Sequence, residues 1–209
     1  MDRIGIEGKA PVPEDPAATG DGRPARLRSL AWVLATLWLL AWLTAVALVI
    51  ANRSAIRTFD QADPVDVILP IGFAVIGTLL ASRMPHNPIG WILLGIALIG
   101  AVSGVLTMYV FRSTRIDPLP LTPWIAWIHD PLNFIVFPPG LAALFFLLFP
   151  DGHLHSRGGR WLARLAVVVT IAGVVFLVFQ TSIQLGGSPR IANPLGPLAV
   201  VDMNNGAPG

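Results

Sequence analysis

Asp151, His153 and His155 stand close together in the stretch LLFPDGHLHSRGGRW, Leu147 to Trp161, just after a long apolar run. Their side chains are of the kinds that bind zinc or move protons. A catalytic zinc takes three protein ligands and a supporting second shell. His153 and His155 are two apart, a spacing that suits a strand or an irregular loop and not one face of a helix. No distant cluster of His, Asp or Glu completes the set: His86 belongs to another loop, and His129 is expected on the opposite side of the membrane. The simpler reading is a turn. Pro150, Asp151 and Gly152 reverse the chain. Arg157 and Arg160 attract anionic lipid, and Trp161 anchors the following helix at the interface. The expectation is therefore no catalytic, cofactor or metal site.

The composition says what must position this turn. Of the 209 residues, 54% are hydrophobic and only 12% are charged. A soluble domain carries about 25% charged residues, so lipid is the expected solvent and the bilayer the main partner. There is no cysteine, which excludes disulfides, thiolate metal sites and cysteine nucleophiles. The net charge of +2 comes with no long basic run interleaved with aromatics, so no nucleic-acid partner is expected.

Residues 1–28 read as a cytoplasmic N-terminal tail that is too poor in large apolar groups to fold. Residues 29–185 read as an all-α polytopic transmembrane bundle of about five spans, near 30–50, 64–82, 89–110, 131–149 and 161–183. The first run carries no charge. It is longer than a signal-peptide core of about 7–15 residues, which favours a retained span over cleavage at Ala45–Ala47. Asp63-Pro64, Asn87-Pro88 and Asp130-Pro131 each precede a run. An acid or amide caps the first turn, and proline at the first helical position loses no hydrogen bond.

Asn193-Pro194 repeats that signal before a run of only eight residues, which reads as the start of a truncated sixth span or as a short extracytoplasmic tail over 186–209. Thr122 and Pro123 are expected to open a separate short helix lying in the interface, with Trp124 and Trp127 on one face. Pro138-Pro139-Gly140 is expected to break the fourth span.

With the N-terminus inside, Arg3, Lys9, Arg23, Arg26, Arg28, Arg83, Arg157, Arg160 and Arg164 are cytoplasmic. Arg53, Arg57, Arg112, Arg115 and Arg190 are then outside. That bias follows the positive-inside rule and makes the chain a multi-pass cell-membrane protein with an extracytoplasmic C-terminus. Trp32, Trp42, Trp91, Trp124, Trp127 and Trp161 fall near span ends, as an aromatic belt requires. Gly100 with Gly104, and Ala97 with Ala101, form small-residue pairs that serve helix packing within the chain or a homodimer, with the first expected. The central stretches of the five runs hold no ionisable residue, which disfavours proton-coupled transport. Their polar groups, such as Thr36, Thr44, Thr78, Ser103, Thr107, Asn133 and Thr170, are expected to bond backbone.

The turns RMPHNPIGW and LLFPDGHLHSRGGRW, with NPLGP downstream, resemble the N-terminal membrane region of actinobacterial sensor histidine kinases. The first turn matches at Arg83, Pro85, Asn87, Pro88, Ile89, Gly90 and Trp91. The second matches at Phe149, Pro150, Asp151, Gly152, Arg157, Arg160 and Trp161. The resemblance covers roughly Leu30 to Gly196 and implies a multi-helix input region coupled to a kinase. The family continues into further spans and a cytoplasmic kinase module. This sequence shows no phosphoacceptor-histidine helix and no glycine-rich ATP lid, so neither His153 nor His155 is expected to accept phosphate. The expected function is a non-enzymatic sensor-type or scaffold bundle with a kinase or another membrane protein as partner. The alternatives are a small transporter or permease component, with the broken fourth span lining its path, and a membrane enzyme using Asp151, His153 and His155.

Overall fold

The computed structural model describes residues 23–53, 64–136, 140–150, 152–154, 156–183 and 190–195. They form an all-α bundle with a small antiparallel β-pair at one end. The helices are α1 (Arg23–Asn52), α2 (Pro64–Arg83), α3 (Pro88–Arg115), α4 (Thr122–Val136), α5 (Leu141–Leu148) and α6 (Arg157–Val178). The pair is β1 (Ser182–Ile183) with β2 (Ile191–Ala192), in register Ser182 to Ala192 and Ile183 to Ile191.

Four helical stretches are long and apolar enough to cross a membrane: Ala25–Asn52, Pro88–Arg115, Thr122–Leu148 and Arg157–Val178. Pro70–Arg83 is a shorter apolar helix beside them. Outward faces of α1 and α6 are made of large apolar side chains; Phe176 is 71% exposed and Leu40 57%. Water would penalise that surface by roughly 25 cal/mol per Å², whereas hydrocarbon does not. The chain is built as a membrane protein.

The central element is α3, which packs on α1, α2, α4 and α5. Small residues let these helices approach. A Cβ on Gly77 of α2 would lie 2.6 Å from the Leu94 nitrogen of α3, and one on Gly90 would lie 2.5 Å from the Ala81 nitrogen. Only a bare α-carbon permits this crossing, so glycine is required at both positions. Ala97 and Ala101 are buried with Trp38 of α1 and Ala74 of α2, which puts that pair to intramolecular use. Gly104 meets the Ala45 Cβ at 3.5 Å, while a Cβ on Gly100 would meet nothing within 4 Å. At the other end of α3, the fully buried Asn52 donates to the Met108 carbonyl at 3.2 Å and ties the end of α1 to α3.

Several boundaries differ from the sequence expectations: α1 begins at Arg23, inside the stretch expected as an unfolded tail, and α3 runs on to Arg115. Asp130-Pro131 does not open a helix: α4 begins at Thr122 and runs through Pro131. The expected interfacial helix and the start of the fourth span are therefore one element. Proline inside a membrane helix is tolerated when neighbouring groups satisfy the backbone it frees. The fourth span does divide, with α4 ending at Val136 and α5 beginning at Leu141; Pro138 and Pro139 themselves lie outside the described residues. The last span starts earlier, at Arg157, because Ser156 caps it, and it ends earlier, at Val178. Asn193 opens a turn folded back on the bundle, with its Oδ1 accepting from the Leu195 nitrogen at 2.9 Å. Asp63 and the residues from 196 onward lie outside the described residues.

Candidate functional site

One end of the bundle is formed by the α2–α3 and α5–α6 turns. Arg83 closes α2, and the Met84 nitrogen donates to the Leu80 carbonyl at 2.7 Å. Asn87 then caps α3, accepting from the Ile89 nitrogen at 3.0 Å, with Pro88 as the first helical residue. The Trp91 indole donates back to the Pro85 carbonyl at 2.9 Å and locks the turn. In the second turn, the Gly152 nitrogen donates to the Leu148 carbonyl at 2.7 Å, just past the cis Phe149–Pro150 peptide. Gly152 has φ +79°, and a Cβ there would lie 2.7 Å from Asn87 Oδ1 and 2.9 Å from Pro88 Cδ. The two sequence motifs thus meet in space.

The Ser156 hydroxyl accepts from the Gly159 nitrogen at 2.8 Å, which starts α6. Arg157, Arg160 and Trp161 face outward, Trp161 at 63% exposure. His153 is exposed; Asp151 and His155 lie outside the described residues. Among the described residues, no group of three or more His, Cys, Asp or Glu gathers to hold a metal.

The chemistry in the described residues sits at the opposite end, where α4 passes between α3 and α6. Because α4 starts at Thr122, His129 lies about 10 Å along a membrane helix at 1.5 Å per residue, not in a loop. His129 is 6% exposed. Its Nε2 is 3.0 Å from the Thr107 hydroxyl of α3, and its Nδ1 is 3.2 Å from Asp130 Oδ1. Asp130 Oδ2 in turn accepts from the Gln180 amide at 3.0 Å, just beyond α6. The central stretches of the expected runs still hold no ionisable residue, but the earlier start of α4 brings an imidazole and a carboxylate into the first half of this span.

Further bonds hold this junction. The Trp127 indole donates to the Val178 carbonyl at 3.0 Å. Asn193, fully buried, donates to the carbonyls of Val178 at 2.9 Å and Gln180 at 2.6 Å. These donors satisfy carbonyls left open at the end of α6. Ile183 of β1 is fully buried against Val110 and Ala126, which presses the β-pair on the bundle.

The Thr107 hydroxyl sits 2.9 Å from the Ser103 carbonyl as well as facing His129, so it is a rotor between two acceptors. Hydroxyl, imidazole and carboxylate stand in the order of a hydrolytic relay. Here they are packed between α3 and α4. Thr36, Thr44, Thr78 and Thr170 bond the carbonyl four residues earlier in their own helices, as expected. Among the described residues, the Ser103 hydroxyl and the Trp38 indole are buried with no hydrogen-bond partner.

In the sequence, Asp130-Pro131 imitates a helix start and leaves His129 looking like a loop residue, whereas it lies within α4. The partner that explains Asp130, Gln180, is 50 residues away. Ser156 was legible in principle: a serine ahead of a basic, glycine-rich first turn is an ordinary cap. Compared with protein families, characterised proteins and solved structures, the chain matches none of them.

Proposed function

We propose that this membrane bundle is a sensor-type signal-input unit. It sits in the cell membrane with the motif turns and N-terminus cytoplasmic and the β-pair and C-terminus extracytoplasmic. It passes a change in helix packing to a histidine kinase or another membrane protein. The observation that carries the reading is the polar junction of Thr107, His129, Asp130 and Gln180, which brings an imidazole and a carboxylate into a largely apolar bundle. Ionisable groups at membrane depth are costly and mark functional positions by default. This one joins three helices, so a signal that alters it biases how they pack. The resemblance of the motif turns to those of sensor kinases adds support, and Gly152 lies close against Asn87 at the far end of the same helices.

The residues that favoured a transporter, Pro138 and Pro139, lie outside the described residues, and that reading gains nothing further. The test is co-purification in detergent with histidine kinases encoded beside this chain, followed by autophosphorylation of the pair in liposomes. The signalling reading predicts that one kinase is retained and that Asp130→Asn changes its phosphorylation. If no such kinase is retained, or none responds, the reading is wrong.

A further inference from the structure

We infer that the junction of Thr107, His129, Asp130 and Gln180 is a proton-binding site, and that the signal it takes up is acidification on its side of the membrane; this rests on the signal-input reading. The donors and acceptors admit two complete patterns. With His129 neutral, its proton lies on Nδ1 toward Asp130, 3.2 Å away, and Nε2 accepts from the Thr107 hydroxyl at 3.0 Å. With His129 charged, Nε2 donates to Thr107, whose own hydrogen turns to the Ser103 carbonyl at 2.9 Å. Both patterns use the same heavy-atom positions, so a proton enters with no polar group left unpaired.

The charge balance decides the direction. A neutral imidazole beside an ionised Asp130, whose side chain is 22% exposed, leaves one unbalanced negative charge at the junction. Proton uptake turns the 3.2 Å contact into a charge-assisted bond between imidazolium and carboxylate. Asp130 also holds Gln180, so the ion pair and the α4–α6 link share one carboxylate. Acidification therefore tightens the junction and alkalinisation loosens it.

Further charged groups stand on the packed elements. On α3, Arg112 faces Asp117 at 3.6 Å and Asn52 at 3.4 Å, and the Tyr109 hydroxyl donates to the Pro120 carbonyl. Arg115 closes the last turn of α3. On α6, Arg157, Arg160 and Arg164 lie in the first turns, at the opposite end from Val178. The described part of α5 carries no charge, and neither β1 nor β2 does; Arg190 stands exposed just before β2.

The experiment is hydrogen exchange on the whole chain in lipid nanodiscs, read at the amides of Phe179 and Asn193. These bond the Phe176 and Thr181 carbonyls beside the junction. After correction for intrinsic rates, exchange should slow at least about fivefold, the lower end of ordinary site coupling, from about pH 8 to about pH 5.5. His129→Gln and Asp130→Asn should each abolish the response, and His86→Gln should preserve it. Should either loss-of-response variant fail to fold, ring ¹⁵N spectra of His129 in the native chain decide the matter. Nε2 must pass from acceptor to donor over the same range. Protection independent of pH, a response surviving His129→Gln, or an imidazole that does not titrate overturns the proposal. A pH-independent bundle that still drives a kinase removes the proton and leaves the signalling reading intact.

Discussion

Gly152 and Asn87 share one pocket of space: a side chain on the first would sit 2.7 Å from the amide oxygen of the second. That oxygen already caps α3 through Ile89. The two turns are therefore a single structural unit, and each motif supplies what the other needs. Asn87 gives α3 its start, and Gly152 stays bare so that the second turn can lie on the cap.

Gly152→Ala should be costly twice over, for its positive φ and for the collision. The expected loss is about 1–3 kcal/mol. Asn87→Ala should lose about 1 kcal/mol as a cap and relieve part of the collision, so the double variant should be less destabilised than the sum. Unfolding midpoints in detergent, measured as a double-mutant cycle, check this; strict additivity would separate the turns.

Glycines inside the helices should divide by their surroundings. Gly77→Ala drives a methyl into the α3 backbone and should destabilise by about 1–3 kcal/mol. Gly100→Ala meets open space and should be neutral or stabilising by up to about 1 kcal/mol through helix propensity. The same unfolding assay reads both. Equal effects would mean that α2 and α3 do not cross as described.

Asn193→Ala removes two donors from the carbonyls of Val178 and Gln180 in a fully buried place. A cost of about 1–3 kcal/mol is expected, with faster exchange confined to the end of α6 and the β-pair. Exchange by mass spectrometry resolves the two ends. Loosening of the α2–α3 turn instead would contradict the placement of Asn193.

Much of this architecture was legible because lipid imposes simple rules. Long uncharged runs mark α1, α3 and α6, and Asn87-Pro88 marks a helix start by local chemistry alone. The meeting of Gly152 with Asn87 was hidden, since nothing near either residue names the other. Asp130-Pro131 misled because the same dipeptide serves as a cap or as a helix interior. What decides is whether the acid finds nearby backbone N–H groups or, as here, His129 and Gln180. The polar junction was invisible for that reason. His129 counts as a loop residue until α4 is known to begin at Thr122.

The proposed orientation rests on the distribution of arginine. Reporter fusions after Met84, Ile116 and His153 should read inside, outside and inside. The reverse pattern would place the polar junction on the cytoplasmic side and redirect the proton proposal to cytoplasmic pH.

The most direct test of the account asks which solvent surrounds the helices. The chain has no cysteine, so single cysteines at Val168 and Phe176, both exposed on α6, can carry spin labels without background. In liposomes, collisions with oxygen, which concentrates in hydrocarbon, should dominate at both positions, and a water-soluble nickel complex should barely reach them. Ready access to the nickel complex at either position would mean that water bathes this face, and the membrane bundle would be the wrong description.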